Sequence, residues 1–183
     1  MIDPVFAKLI SMVLGVLLAA ASWHKWASFE RFVAVLRDYE LLPPALARPA
    51  AGLVIFAEAA LALGWLTGSL DRWVALVTAA MFSLYGAAIA ANLLRGRVHI
   101  SCGCGLGEVS EGDQSLSWTL VLRNLVLTGM ALLPLLPLAP RALHPADWVT
   151  LATGLLAVVL LHLGARQLVK NSAAIQTWRQ PGD

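Results

Sequence analysis

The chain has 183 residues, 59% hydrophobic and only 13% charged, with a mean hydropathy of +0.75. Soluble domains carry about 25% charged residues, so the composition points to a membrane-embedded chain and away from a water-facing globule. A net charge of +2 leaves no electrostatic footprint for nucleic acid, and there is no phosphate-cradling glycine loop or zinc finger.

A membrane helix needs about 20 apolar residues. Five stretches approach that length, at 4–22, 49–66, 73–94, 118–138 and 148–168. Lipid cannot satisfy backbone N–H and C=O groups, so each is expected to be helical. Trp23, Trp65, Trp73, Trp118 and Trp148 fall at the ends of these stretches, the depth that tryptophan favours. The first stretch lacks a basic leader and a small-x-small cleavage site and reads as a span. The fold expected is an all-α integral membrane protein. It is a compact bundle of about five transmembrane helices, forming a single membrane domain over 1–183, with one interfacial amphipathic helix.

That helix is expected at about 28–41. Phe29, Phe32, Val33 and Leu36 recur on one face, with Glu30, Arg31, Arg37 and Asp38 off it. Ser28 suits its start, and Pro43-Pro44 ends it. It reads as a helix lying in the headgroup plane, or more sharply as a lid or docking surface beside the cysteine segment. Small residues crowd the second and third spans (Ala57, Ala59, Ala60, Ala62, Gly64; Gly86, Ala87, Ala88, Ala90, Ala91) and allow close helix approach. Pro134 and Pro137 should kink or end the fourth span.

Five spans place the termini on opposite sides. Of the 13 basic residues, Lys8, Arg72 and Arg141 share the side of the N-terminus, and the other ten lie on the opposite side. The positive-inside rule then puts the N-terminus in the periplasm, and the cysteine loop and C-terminus in the cytoplasm.

The chemistry concentrates in the loop 95–117, which holds both cysteines of the chain, in Ser101-Cys102-Gly103-Cys104-Gly105-Leu106-Gly107. Glycines keep bulky side chains away from the sulfurs. The thiolate is the reactive form, and nearby cations favour it; Arg95, Arg97 and His99 precede the pair. A disulfide through one intervening residue closes almost no loop, so it serves stability little, whereas strained or exposed disulfides are the labile, catalytic ones. Cys102 and Cys104 are thus candidate redox thiols. The alternative is a soft-metal site, copper or zinc, with His99 and His24 as further donors; a closed zinc site wants four ligands. A non-redox assembly chaperone is the third reading. The residues call for no resident cofactor and leave a quinone open as electron acceptor.

Glu58 is the second signal, roughly 14 Å into the second span at 1.5 Å per residue. A carboxylate at that depth is expensive and marks function by default. Its expected partners are Arg123 and Asn124 on the fourth span, His162 on the fifth and Lys8 on the first. Arg123 and Asn124 could bridge Glu58 to the cysteine loop.

The run His24-Lys25, Phe29, Phe32, Leu36, Asp38-Tyr39 and Leu41-Leu42-Pro43 resembles the methylamine-utilisation MauE family, part of the broader MauE/DoxX group of redox-associated membrane proteins. The likeness continues through Glu58, Gly64, Tyr85, Ala90, Asn92-Leu93, Arg95-Gly96-Arg97, Cys102-Gly103-Cys104-Gly105, Leu116-Ser117-Trp118 and Arg123-Asn124. The resemblance implies a bacterial inner-membrane protein that helps mature an exported, disulfide-rich client such as the methylamine dehydrogenase small subunit. It also implies a membrane-anchored thioredoxin-like partner of the MauD type. The function expected is thiol–disulfide exchange by Cys102 and Cys104. A periplasmic client and a cytoplasmic cysteine loop conflict unless the orientation is reversed or reducing equivalents pass outward through the bundle.

Overall fold

The computed structural model describes residues 3–67, 72–97, 116–137 and 139–179. Among them there are helices and no strands: α1 (Pro4–Ala27), α2 (Phe29–Asp38), α3 (Ala47–Leu66), α4 (Arg72–Leu94), α5 (Trp118–Leu132) and α6 (Pro145–Arg179), with 3₁₀ turns at Pro44–Leu46 and Leu133–Leu135. Among the described residues, four segments are long and apolar enough to cross a bilayer: Pro4–Ala27, Pro44–Leu66, Arg72–Leu94 and Trp118–Leu135; a shorter apolar helical stretch covers Pro145–Leu161. The chain is an all-α membrane protein, as its composition requires.

Its interior and exterior are inverted relative to a soluble domain. Leu53, Phe56, Leu63, Leu84, Leu122 and Leu125 face outward, while Ser11, Glu58, Thr78, Asn92 and Asn124 are buried. Lipid, unlike water, gives no penalty to the first set and cannot satisfy the second.

Helix α1 starts on Asp3, whose side chain accepts from the Val5 N–H at 2.8 Å, with Pro4 at the first helical position. It ends at Ser28, whose N–H and hydroxyl both donate to the His24 carbonyl. The helix thus runs five residues beyond the expected end of the first span. The apolar run stops at Ser22, but nothing before Ser28 breaks the backbone ladder. The added turn carries Lys25 onto the buried stripe of Ala7, Ile10, Ser11, Leu14, Leu18 and Ser22.

Helices α1 and α3 form one antiparallel pair. Gly15 lies against Trp65 and Leu66, and Lys25 against Glu58. Helices α4 and α5 form the other, with Ser83 level with Thr128 and Gly86 with Asn124. The two pairs are joined by the buried Trp65 Nε1–H, which donates to Thr78 Oγ1 at 3.0 Å. They share one core of Ile10, Leu14, Leu18, Leu61, Trp65, Ala75, Phe82 and Ala131. Helix α5 gives way to 3₁₀ structure at Leu133–Leu135, where Pro134 removes a backbone donor.

Helix α2 has the amphipathic face that its spacing predicts, over a slightly shorter range than 28–41. That face packs on protein. Phe32 and Val33 bury against Ala47, Ala51 and Ile55 of α3. Val35 and Tyr39 bury against Ile89 of α4 and Leu116, beside Leu120 and Val121 of α5. Helix α2 therefore bridges the ends of α3, α4 and α5 at the end of the bundle from which the cysteine segment departs. Ion pairs fasten its two ends, Glu30 to Arg48 and Glu40 to Arg97.

Residues 141–183 form a separate compact unit. Its helix α6 begins where Asp147 accepts from the His144 N–H at 2.7 Å and from both terminal nitrogens of Arg141.

The close approach of α1 to α3 depends on Gly15. A Cβ there would lie 2.7 Å from Leu66 Cγ and 3.3 Å from Trp65 Cβ, whereas one at Gly52 would meet nothing within 4 Å. Gly15→Leu should destabilise the protein in detergent by about 1–3 kcal/mol through overpacking. Gly52→Ala should stabilise it by about 0.4–1 kcal/mol. Thermal unfolding of both variants checks the pair.

Candidate functional site

Among the described residues, the polar chemistry of the bundle centres on Lys25, Glu58 and Tyr85, one each from α1, α3 and α4. The Lys25 ammonium donates to Glu58 Oε1 at 2.6 Å and to Oε2 at 2.8 Å. The Tyr85 hydroxyl donates to Oε1 at 2.8 Å. Lys25 is 4% exposed and Glu58 1%. The ammonium also lies 5.5 Å from the Phe32 ring centroid and 5.6 Å from that of Tyr85, where the negative ring faces attract a cation. Each hydrogen of the ammonium therefore has a carboxylate oxygen or a ring face near it. Phe32 makes α2 a wall of the site.

Glu58 sits 11 residues into α3, about 16 Å along the helix. A lone carboxylate there costs a few kcal/mol. Opposite charge at contact distance and one further donor, the Tyr85 hydroxyl, offset the desolvation, which is the condition under which a buried pair survives. The charges of Lys25 and Glu58 cancel at the site, which leaves a dipole there and no lone buried charge.

This corrects the expected partnership. Glu58 takes Lys25 and Tyr85, while Arg123 is exposed on α5. Its neighbour Asn124 is the buried one, with its amide donating to the Leu120 carbonyl at 2.9 Å and its Cβ beside Gly86. Lys8 is half-buried near the far end of α1, some 25 Å from Lys25 along the helix. His24 is half-buried in the last turn of α1. The side chain of His162 and the residues His99, Cys102 and Cys104 lie outside the described residues. Among the described residues no three metal-binding side chains cluster.

Lys25 and Tyr85 were not expected in the site. For Lys25 the signal was present: Leu14, Leu18, Ser22 and Lys25 keep helical spacing, so a helix extended by one turn turns the lysine inward. Tyr85 carried no comparable mark.

The described flanks of the cysteine segment are well defined. Helix α4 closes with the Gly96 N–H on the Leu93 carbonyl and the Arg97 N–H on the Asn92 carbonyl, both at 3.0 Å. Gly96 has φ +73°. These are the paired bonds of a Schellman motif, and its left-handed position suits glycine. Asn92 is fully buried beneath this turn. Its amide donates to the Ala88 carbonyl, and among the described residues its Oδ1 meets no hydrogen-bond partner. The Arg97 guanidinium reaches Glu40 Oε2 at 2.5 Å, and this hydrogen bond is the main cause holding the Glu40 carboxyl below its ordinary range.

Removing one member of the buried pair should be far worse than removing both. Lys25→Met leaves the Glu58 charge without its cation and should cost about 3–5 kcal/mol. Lys25→Met with Glu58→Leu should recover most of that loss. Denaturant unfolding of the two single variants and the double variant closes the cycle; a loss in the double variant equal to the sum of the two single losses would show that the groups are not coupled.

The sequence model of the family described as methylamine utilisation protein MauE matches residues 3–137. Among curated proteins, a methylamine utilization protein MauE of Paracoccus denitrificans is 38% identical over 177 residues, covering 95% of this chain and 92% of its own length. Its namesake from Paracoccus versutus is 39% identical over 88% of this chain and 84% of its own. That of Methylophilus methylotrophus is 40% identical over 71% and 67%. No solved structure matches significantly. With a family match across α1 to α5 and a curated relative 38% identical over 95% of its length, the chain belongs to the MauE family of proteins involved in methylamine utilisation.

Proposed function

We propose that this protein is a thiol–disulfide exchange protein of the bacterial inner membrane, with Cys102 and Cys104 as the reacting pair. The observation that carries the reading is their isolation. The chain keeps two cysteines, sets them one glycine apart and places them in the segment between α4 and α5. In the proposed step, one thiolate attacks a disulfide sulfur of a thioredoxin-like partner and a mixed disulfide forms. The second thiolate displaces the partner's sulfur. The Cys102–Cys104 disulfide forms as the partner gains two thiols, so two electrons move and none are lost. No further oxidant is needed for this half-reaction. The partner would carry the reducing equivalents to an exported, disulfide-rich client, for which the methylamine dehydrogenase small subunit is our candidate.

Support comes from the surroundings of that segment. Its two ends leave a rigid bundle beside α2, whose buried face ties α3 to α4 and α5. A fixed platform holds reacting groups in register with a docked partner, which is where most of the advantage of a bound reaction arises. The polar face of α2 is the surface next to that end. The Lys25–Glu58–Tyr85 cluster acts in this reading as the brace of the platform.

If the two cysteines work as a unit, Cys102→Ser and Cys104→Ser should each abolish exchange with the partner. One of the two should also accumulate a covalent mixed disulfide on non-reducing gels. Exchange by both single variants would remove the mechanism. Tight anaerobic binding of Cu(I) or Zn(II), lost in both variants and unaccompanied by exchange, would favour a soft-metal carrier instead.

The three-against-ten asymmetry of the basic residues supports an orientation with the cysteine side in the cytoplasm. A reporter fused after Lys170 should be active only in its cytoplasmic form. Periplasmic phosphatase activity from that fusion would reverse the orientation and bring the dithiol to the same side as an exported client.

A further inference from the structure

Helix α5 is the least covered of the four spanning segments, and among its residues only Asn124 and Ala131 are buried. Its outer side presents Leu122, Leu125 and Val126, exposed by 59%, 66% and 54%. Arg123 stands among them and is exposed as well. It lies five residues past Trp118, about 8 Å along a helix that enters lipid. A cation so placed is costly unless an anion receives it.

The described part of the chain supplies none. No ion pair or hydrogen bond with a described residue holds the Arg123 guanidinium. The described carboxylates are committed elsewhere. Glu58 takes Lys25, Glu30 takes Arg48, Glu40 takes Arg97 and Asp147 takes Arg141. Asp3 caps the start of α1, and Asp38 lies exposed on α2. The partner of Arg123 is therefore sought outside these residues.

We propose that Arg123 is the headgroup ligand of a binding site for an anionic phospholipid, whose acyl chain runs down the open side of α5. The geometry of the helix favours this. Helical side chains lean toward the N-terminus, which in α5 is the end marked by Trp118, 59% exposed and of the type that settles at headgroup depth. The long stem of Arg123 thus carries its charge back toward the phosphates. A guanidinium offers paired N–H donors to phosphate oxygens. Thr119 lies exposed one turn above Arg123, and Val126 begins the apolar track one turn deeper.

The occupant follows from shape and charge. Contacts between membrane helices favour small residues. Beyond its first turn, the exposed side of α5 carries Leu122, Leu125, Val126 and Leu132, with Gly129 as its one small residue. That surface suits an acyl chain better than a second helix. The end of the bundle where α2, α4 and α5 meet is also basic. Among the described residues there, Arg37, Arg95, Arg97 and Arg123 stand against Asp38 and Glu40. A basic rim beside spanning helices selects anionic over zwitterionic headgroups. The site involves neither cysteine and does not depend on thiol exchange.

The test is native mass spectrometry of the purified full chain in detergent, titrated with phosphatidylglycerol or with phosphatidylcholine of the same acyl chains. The first phosphatidylglycerol should bind about fivefold more tightly than the first phosphatidylcholine, the size of one arginine's attraction to an anionic surface. Arg123→Gln should erase that preference. Thr119→Glu should erase it too with the arginine still in place, because a glutamate four residues before an arginine pairs with it along the helix. This second variant adds an acid to the first turn of α5, where negative charge favours the helix, so the proposal stays testable if Arg123→Gln folds poorly. Arg31→Gln, at the other end of α2, should leave the preference intact. Inorganic phosphate in large excess should not displace the lipid, since the acyl chain supplies part of the grip. A preference that survives in folded Arg123→Gln or Thr119→Glu overturns the proposal. An equal loss in Arg31→Gln overturns it as well, by assigning the selectivity to diffuse surface charge. Displacement by inorganic phosphate would make the ligand a free anion and not a lipid, and would likewise overturn it.

Discussion

A carboxylate placed inside a lipid-spanning helix must be answered within the protein, and the rest of this bundle is arranged around that requirement. Glu58 is answered from three elements. Lys25 arrives from the last turn of α1, Tyr85 from the middle of α4, and Phe32 of α2 closes over the ammonium. These contacts are directional, whereas the apolar packing between lipid-spanning helices is not. Sliding α1 by one turn along α3 would leave two buried charges apart, a penalty of several kcal/mol. A comparable slide between apolar faces would exchange one set of dispersion contacts for another. The ion pair therefore fixes the register of α1 on α3, and Tyr85 carries that register to α4.

Close packing supplies what the ion pair does not. There is no hydrophobic force between helices already in lipid, so association depends on close approach and on buried polar contacts. Gly15 admits Trp65 and Leu66, Gly64 admits Val74, and Gly86 admits the stem of Asn124. Each contact joins a different pair of helices. Trp65 adds a directed bond to Thr78 at the opposite end from Lys25. The bundle is thereby pinned by polar contacts at two depths, with small residues letting the backbones meet between them.

Much of this was legible in the sequence, and the parts that were not have physical reasons. Hydropathy located the helices because lipid thickness fixes their length. The amphipathic spacing of Phe29, Phe32, Val33 and Leu36 located α2, but spacing says only that a face is apolar, and here it meets α3 and not lipid. The end of α1 was misplaced because the apolar run stops at Ser22 while helix termination is set by the backbone bonds of Ser28. That one error hid the partner of Glu58. Arg123 and Asn124 are adjacent, yet helical geometry points them about 100° apart. The sequence could nominate both and could not say that only the asparagine faces inward. The cysteines were the clearest chemical signal in the chain, and their reading rests on residue type and spacing.

The two kinds of ion pair in this protein differ in consequence. Lys25–Glu58 is sealed from solvent and lipid, so opening it means exposing two charges to a medium that solvates neither. Its burial and its paired contacts make it the joint that sets helix register. Glu30–Arg48 and Glu40–Arg97 lie at the water-accessible rim, where solvent competes for each charge and opening costs little. Rigidity is thus concentrated in the depth of the bundle, and freedom at the end where α2 meets the departure of the cysteine segment. The proposed thiol exchange with a docked partner would call on both properties. The buried joint holds the platform still while the rim adjusts, and α2 belongs to both, with Phe32 on the joint and Glu40 on the rim.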